Sequence, residues 1–193
     1  VTLSSLPDLK SYPISSDNTQ ITLDSTSKEI TYGDSITLKA SVTSDTPQTV
    51  TWKSSNTAVA TVKDGVVTAT GKGTAKITAS LPNGRSAVCT VKVTTKKLPT
   101  SGCSYASTAQ YTGSAIIPTV TVKDGSKVLR QNIDYRVIVT NNVKIGHANI
   151  TISGMGNYYG SYSAGFDIIP AKQTIQKLET RYKGFFVDWA QKG

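Results

Sequence analysis

The sequence contains a single histidine, two cysteines and few acidic residues, which limits the chemistry that the chain can perform. Because His147 stands alone, the usual catalytic dyads and histidine-rich metal sites are excluded, and we expect it to be structural or solvent-exposed. The carboxylates are scattered at turns and strand ends, so they provide no acid–base pair for glycoside hydrolysis. We therefore predict a chain that is not an enzyme, with no catalytic residues, no metal site and no cofactor.

The two cysteines, Cys89 and Cys103, allow one disulfide or none, and they are too few for a zinc site. Strand alternation in the run 87–93 places Cys89 on the same apolar face as Val91 and Val93. We predict that Cys89 is a buried free thiol that packs as a small hydrophobic residue, and that the two cysteines do not pair.

Apolar runs long enough to cross a bilayer are missing, and so is a signal peptide. We expect a protein that is not membrane-embedded. Its targeting and anchoring segments are expected to lie outside the given chain.

Leucine and methionine are sparse, whereas threonine, serine, valine and isoleucine dominate. β-Branched side chains pack well on strands and lose rotamer freedom in helices, so the composition predicts an all-β protein.

The net charge of +9 is spread along the chain instead of forming a basic stripe with interleaved aromatic residues. We therefore expect no nucleic-acid partner, while an anionic cell-wall polymer such as teichoic acid stays open.

Short alternating runs separated by turn residues fill the segment 21–95, as expected for a β-sandwich. Strands are predicted over 35–42, 49–53, 59–62, 66–69, 74–81 and 87–93. Trp52 and Trp189 fall on apolar faces and are predicted to anchor cores.

Residues 96–102 mix lysines with Pro, Ser, Thr and Gly and are predicted to be a linker. A second β-rich unit follows over 103–171, and residues 1–20 form an N-terminal linker or the end of a preceding domain. Strands in the second unit are predicted over 118–122, 135–140, 147–153 and 165–169. The glycine-dense stretch 154–160 is predicted to be a loop.

The pentapeptide TVKDG occurs at 61–65 and again at 121–125. We interpret both copies as a strand end followed by a turn, because Asp-Gly supplies the positive φ angles of a tight hairpin. Turn preference then explains Asp64 and Asp124 better than calcium binding does, since few oxygen ligands surround them in the sequence.

A late strand of the form G-x-A-x-I-T-x-S, at 73–80 and at 146–153, raises the possibility of a repeat. However, the distance between the two motifs is 12 residues in the first unit (61 to 73) and 25 in the second (121 to 146). Repeat arrays keep a nearly fixed period, so we predict two different sandwich-type units.

The segment 52–79 carries a family resemblance, in the blocks WKSSNTAVATV over 52–62, DGVVTA over 64–69 and GKGTAKITA over 71–79. In this order they strongly resemble the bacterial immunoglobulin-like domain group 2, over about 21–95. The resemblance implies a spacer or presenting module in bacterial surface and secreted proteins, including adhesins and wall-associated enzymes. The fold class that we predict is all-β, with tandem immunoglobulin-like β-sandwich domains.

The second unit resembles a module common in large extracellular proteins of Gram-positive gut anaerobes. YTG at 111–113, VTVKDG at 120–125 and the glycine-dense stretch 154–160 carry this resemblance. No activity follows from it.

The tail 172–193 resembles the first two strands of a fibronectin type III domain, with Leu178 and Trp189 as expected core residues. Because the chain stops there, we expect a fragment of a longer protein, and we expect this fragment to be monomeric.

Three tyrosines form the candidate ligand site: Tyr158, Tyr159 and Tyr162, in and just after the glycine-dense stretch. Exposed tyrosines on such a loop are suited to stacking on sugar rings or anchoring a protein, since they combine apolar area with a hydroxyl. The alternative, which we favour, is that Tyr158 or Tyr159 caps the core while the others are only partly exposed.

Two functions remain. The first is a non-catalytic segment of a bacterial cell-surface or secreted protein, acting as a spacer, presentation or adhesion-type module. The second is a carbohydrate- or cell-wall-binding accessory module of an extracellular enzyme, such as a glycosidase or wall hydrolase. The expected partners are cell-wall or host glycans or a surface protein, and the expected location is extracellular.

Overall fold

A computed structural model describes residues 18–172, and all the regular structure in that range is β-strand. The strands are β1 (Gln20–Leu23), β2 (Ser27–Thr31), β3 (Ser35–Thr37), β4 (Ala40–Thr43), β5 (Thr51–Ser54), β6 (Ala60–Lys63), β7 (Val66–Ala69), β8 (Gly73–Ser80), β9 (Ser86–Thr94), β10 (Lys96–Lys97), β11 (Cys103–Ser104), β12 (Thr108–Gln110), β13 (Thr121–Asp124), β14 (Lys127–Val128), β15 (Tyr135–Thr140), β16 (Gly146–Gly154), β17 (Tyr158–Tyr159) and β18 (Ser161–Ile169). The predicted all-β class is confirmed.

The chain divides into two units, which we describe separately. Within the described residues, the first contains 18–97 with 156–159, and the second contains 98–155 with 160–172. The stretch 96–102, predicted to be a linker, contains β10 and the buried side chain of Leu98. The glycine-dense stretch, predicted to be a loop, contains β17. The other predicted domain boundaries stay predictions.

The first unit is a sandwich of two sheets. One sheet has the strand order β2-β9-β8-β5, in which β2 runs parallel to β9 and the other neighbours are antiparallel. The other sheet has the order β3-β7-β6, and β1 pairs separately with β4. Both sheets contribute to the core, whose fully buried side chains include Leu38, Val67, Ile77, Cys89 and Val91. The predicted burial of Cys89 is confirmed.

The single strand predicted over 35–42 is wrong, because the structure divides it into β3 and β4. The Leu38 N–H donates to the Gly65 carbonyl at 2.9 Å, and the Lys39 N–H donates to Asp24 Oδ1 at 3.1 Å. These bonds take the two residues between the strands out of both ladders. As a result β3 joins β7, while β4 joins β1.

The first TVKDG copy forms the hairpin between β6 and β7, as predicted. Lys63 pairs with Val66, so Asp64 and Gly65 are the two loop residues, with φ angles of 50° and 81°. Positive φ at both positions is the signature of the turn type whose twist matches the flanking strands. A Cβ at Gly65 would lie 2.6 Å from the Leu38 carbonyl oxygen, so this position requires glycine for space as well as for φ.

The second unit contains a sheet of order β12-β18-β16-β15, in which β12 runs parallel to β18, and a smaller sheet of order β11-β13-β14. Its buried side chains include Val122, Ile150, Ile152, Phe166 and Ile168. The predicted strand 135–140 coincides with β15, and those at 147–153 and 165–169 lie within β16 and β18.

The strand predicted over 118–122 begins only at Thr121. Pro118, which has no backbone N–H to give to a ladder, lies outside it. The turn of the second TVKDG copy is also displaced. Asp124 pairs with Lys127 at the end of the ladder, so the loop residues are Gly125 and Ser126. The prediction that Asp124 is a turn residue is therefore wrong by one position.

Candidate functional site

His147 lies on the large sheet of the second unit, where β16 and β18 place it opposite Asp167. Its Nδ1 lies 2.8 Å from Asp167 Oδ1, and the two side chains are 64% and 61% exposed. A Cβ at Gly165 would overlap the His147 imidazole, so the ring can pack over this position of the sheet only because residue 165 is glycine. Within residues 18–172, the only hydrogen-bond partner of the His147 side chain is Asp167.

The hairpin loop that precedes His147 encloses a cavity of about 430 Å³, lined by the consecutive residues Asn141 to His147. The Asn142 amide donates to the Ile116 carbonyl at 2.9 Å, and the Ile116 N–H donates back to the Asn142 carbonyl at 2.9 Å. These bonds fix the loop against the neighbouring chain. A depression lined by one loop offers few groups that converge on a ligand from different directions.

Two of the predicted ligand tyrosines, Tyr158 and Tyr159, form β17 in the first unit. Tyr158 is only 3% exposed, and its ring meets that of Tyr32 edge to face, with centroids 5.5 Å apart. Tyr159, the next residue along the strand, points the other way and is 52% exposed. The favoured alternative, in which Tyr158 or Tyr159 caps a core, therefore describes Tyr158.

Asn157 holds this short segment in the first unit. Its Oδ1 accepts a hydrogen bond from the Lys72 N–H at 2.8 Å, and its carbonyl accepts one from the Lys96 N–H at 2.9 Å. The segment is thus tied by two backbone donors that lie far apart in the sequence.

Tyr162, the third predicted tyrosine, lies in β18 of the second unit with its hydroxyl buried. Among the described residues the hydroxyl has no hydrogen-bond partner. Burial raises the pKa of the Tyr162 hydroxyl, and Cys103 raises it further. Of the three, only Tyr159 is largely exposed, at 52%, so a ligand role for the three tyrosines depends mainly on that residue.

A second cavity, of about 390 Å³, lies in the first unit beside Trp52, and we call it the Trp52 cleft. Its lining residues are Val50, Thr51, Trp52, Val62, Lys63 and Asp64. The sequence predicted Trp52 as a core anchor, and the structure shows it half-buried and packed on the core while one side lines this cleft. Sequence reasoning missed the cleft because Trp52 and Asp64 each had a sufficient structural explanation. The sequence did contain a signal for the cleft, because an aromatic strand residue, Trp52, precedes the Asp64-Gly65 hairpin.

No group of three or more His, Cys, Asp or Glu side chains in 18–172 is placed to hold a metal ion. The same range contains no helix long and apolar enough to span a membrane.

Known proteins match parts of this chain. Residues 17–91 match the family model of the bacterial Ig-like domain (group 2), which confirms the resemblance that the sequence showed over 21–95. Together with the strands described above, this match shows an all-β, immunoglobulin-like fold class. Lacto-N-biosidase of Bifidobacterium bifidum is 57% identical over 51 residues, which are 26% of this chain and 5% of that protein.

Two solved structures are similar at low identity. The Yersinia pseudotuberculosis adhesin InvE is 14% identical with a TM-score of 0.35, and the match covers 78% of this chain and 59% of that one. The titin Ig tandem domains A164-A165 are 12% identical with a TM-score of 0.31, covering 81% of this chain and 96% of that one.

Proposed function

We propose that this chain is a non-catalytic segment of a bacterial cell-surface or secreted protein, in which it acts as a spacer and presentation module of the adhesion type. The observation that carries the proposal is the match of residues 17–91 to the bacterial Ig-like domain, over a segment with a complete sandwich core. A module of this kind can keep a neighbouring domain at a distance from the cell wall.

The second unit supports the proposal, because it has a buried core of its own, which includes Val122 and Ile168. We propose that it is the extracellular Gram-positive module that its sequence resembles. We also propose that residues 172–193 begin a fibronectin type III domain. Almost all of that tail, including Leu178 and Trp189, lies outside the described residues.

The test places the chain between a wall-anchored stalk and a small reporter head on the surface of a Gram-positive cell. A flexible Gly/Ser linker of 193 residues replaces it in the control, and a third version deletes the segment. We expect the folded chain to give a bulky antibody the greatest access to the head, because folded units keep a fixed length, whereas a Gly/Ser random coil also samples compact conformations that bring the head back to the wall. Equal access with the chain and with the flexible linker would contradict the spacer function.

A second candidate, a carbohydrate-binding accessory module, is favoured by the identity shared with lacto-N-biosidase over 51 residues. That stretch is too small a part of the relative to bring its activity to this chain. The measurement is a pull-down of the purified chain with insoluble polysaccharides, Gram-positive cell wall and mucin. Saturable binding would support recognition of glycans, and no binding to any of them would count against it.

We propose that the isolated chain is monomeric and has no nucleic-acid partner, since its lysines are spread over both units. Light scattering after gel filtration should give the 20.5 kDa of one chain. A mass of twice that value would contradict the monomer.

A further inference from the structure

The Trp52 cleft is formed where the two sheets of the first unit come together at one side. β5 is the last strand of one sheet and β6 is the last strand of the other. Val50, Thr51 and Trp52 line the cleft from the β5 side, and Val62, Lys63 and Asp64 line it from the β6 side. Its groups therefore converge from two sheets, unlike those of the loop cavity beside His147.

The position of the indole is fixed by the core. Trp52 packs against both apolar clusters of the first unit, one around Ile77 and one around Leu81. On its other side, the ring meets the hairpin turn, since a Cβ at Gly65 would lie 3.3 Å from Trp52 Cζ2. The side chain is thus held rigidly while part of the ring remains accessible in the cleft. A rigid aromatic surface loses little conformational entropy when a ligand contacts it.

Two charged groups stand at the same cleft without partners among the described residues. The Asp64 and Lys63 side chains are both exposed, and neither side chain forms a hydrogen bond or an ion pair with residues 18–172. Thr51 donates its hydroxyl hydrogen to the Ser80 carbonyl at 3.2 Å, so its oxygen can still accept a bond. The cleft accordingly offers a carboxylate acceptor, an ammonium donor and a hydroxyl acceptor beside an apolar ring.

We propose that the Trp52 cleft binds a pyranose sugar. A pyranose has an apolar C–H face that contacts an aromatic ring, and a rim of hydroxyls that both donate and accept hydrogen bonds. Asp64 accepts from these hydroxyls, while Lys63 donates to them. The volume of about 390 Å³ falls within the usual range for small ligands, at its lower end. The inference rests on the carbohydrate-binding candidate, and it places the site away from Tyr159.

Binding is measured with the whole chain carrying Trp189→Phe, which leaves Trp52 as the only tryptophan. The probes are lactose, cellotriose, maltotriose and the trisaccharide of N-acetylglucosamine. Titration calorimetry detects binding, and a change in tryptophan fluorescence reports whether the sugar lies at Trp52. We expect at least one probe to bind saturably and to change this fluorescence.

The decisive variant is Asp64→Asn. Asn-Gly is at least as good as Asp-Gly in this hairpin turn, so the fold is retained while the charge is lost. Losing one charge-assisted hydrogen bond should weaken binding about tenfold. Asp124→Asn is the matched control, because it makes the same change in the second TVKDG copy, which does not line the cleft.

Each outcome decides between the proposals. Weaker binding with Asp64→Asn and unchanged binding with Asp124→Asn would support the site. Binding that both variants keep, and that Tyr159→Ala loses, would overturn the Trp52 cleft but leave the carbohydrate-binding candidate in place. If none of the four sugars and none of the insoluble glycans bind, both are overturned and the spacer function is unaffected.

Discussion

The duplicated TVKDG motif allows one prediction with an internal control, in which Gly65 and Gly125 are each replaced by alanine. Both glycines have positive φ, 81° and 60°, and both follow the same four residues. They differ in their surroundings. A Cβ at Gly65 would meet the Leu38 carbonyl oxygen at 2.6 Å and the Trp52 ring at 3.3 Å, whereas a Cβ at Gly125 meets nothing within 4 Å.

The expected cost follows from these distances. Alanine at positive φ costs about 1–2 kcal/mol, and its smaller unfolded-state entropy offsets about 0.4–1 kcal/mol of that. The free energy of unfolding should therefore fall by about 1 kcal/mol in Gly125→Ala. At Gly65 the backbone must also move, which adds about 1–3 kcal/mol of overpacking and about 1 kcal/mol for the weakened bond from the Leu38 N–H. We expect a loss of about 3 kcal/mol or more in Gly65→Ala.

Urea unfolding of the Trp189→Phe background, followed by the fluorescence of Trp52, measures the stability of the first unit directly. A difference of about 2 kcal/mol corresponds to about 8–16 °C in Tm for a domain of this size. Gly125 lies in the second unit, so Gly125→Ala should leave the Trp52 transition unchanged and lower only the far-ultraviolet circular dichroism transition of its own unit. Equal losses in the two variants would refute the argument from close contact.

Further predictions concern buried polar groups. Tyr162→Phe removes a hydroxyl that lacks a partner among the described residues, so the free energy of unfolding should stay the same or rise. Tyr135→Phe removes a hydrogen bond to the Val120 carbonyl at 2.8 Å and should lower the free energy of unfolding by about 1 kcal/mol. Burial raises the pKa of both tyrosines in the folded state. As the pH rises through about 10, the unfolded state therefore loses these protons before the folded state does, and the free energy of unfolding should fall. The urea midpoint measured as a function of pH checks this, and its slope should be smaller in Tyr162→Phe. Cys89 is fully buried, and burial raises the pKa of its thiol, so a thiol reagent at pH 8 should label it only after unfolding. Mass spectrometry measures the labelling. Rapid labelling of the native protein, or a disulfide to Cys103, would contradict this prediction.

Alternation and turn chemistry predicted the strands of six or more residues in both units, because those signals are local, whereas shorter strands such as β1, β2 and β12 were not predicted. The interpretation of 35–42 as one strand failed for a tertiary reason. Its apolar residues do alternate, yet the N–H groups of residues 38 and 39 donate to Gly65 and Asp24, both distant in sequence, and these bonds divide the strand. No property of the eight residues themselves shows this.

The two TVKDG copies make the same point about turns. Identical residues form a loop at Asp64-Gly65 in one unit and at Gly125-Ser126 in the other. In the first unit Leu38 and Trp52 surround the glycine, while nothing lies near a Cβ at Gly125. The choice of turn position is therefore made by the surroundings and not by the pentapeptide.

The candidate site was harder to predict than the fold. The sequence identified the tyrosine-rich segment, but it gave no sign that Tyr32 would cover Tyr158 from a position more than a hundred residues away. The Trp52 cleft depends on β5 and β6 being the outer strands of two different sheets, and strand order is a property of the whole unit.

Each unit contains a parallel strand pair that joins segments near its two ends, β2 with β9 in the first unit and β12 with β18 in the second. A tension that enters at Ser27 and leaves at Thr94 pulls the two strands past each other along their length. All the hydrogen bonds between them then resist the pull together, whereas the bonds of an antiparallel hairpin pulled from its open end break one after another. The same geometry relates Thr108 to Ile169. A tether made from such units would therefore resist tension applied along the chain.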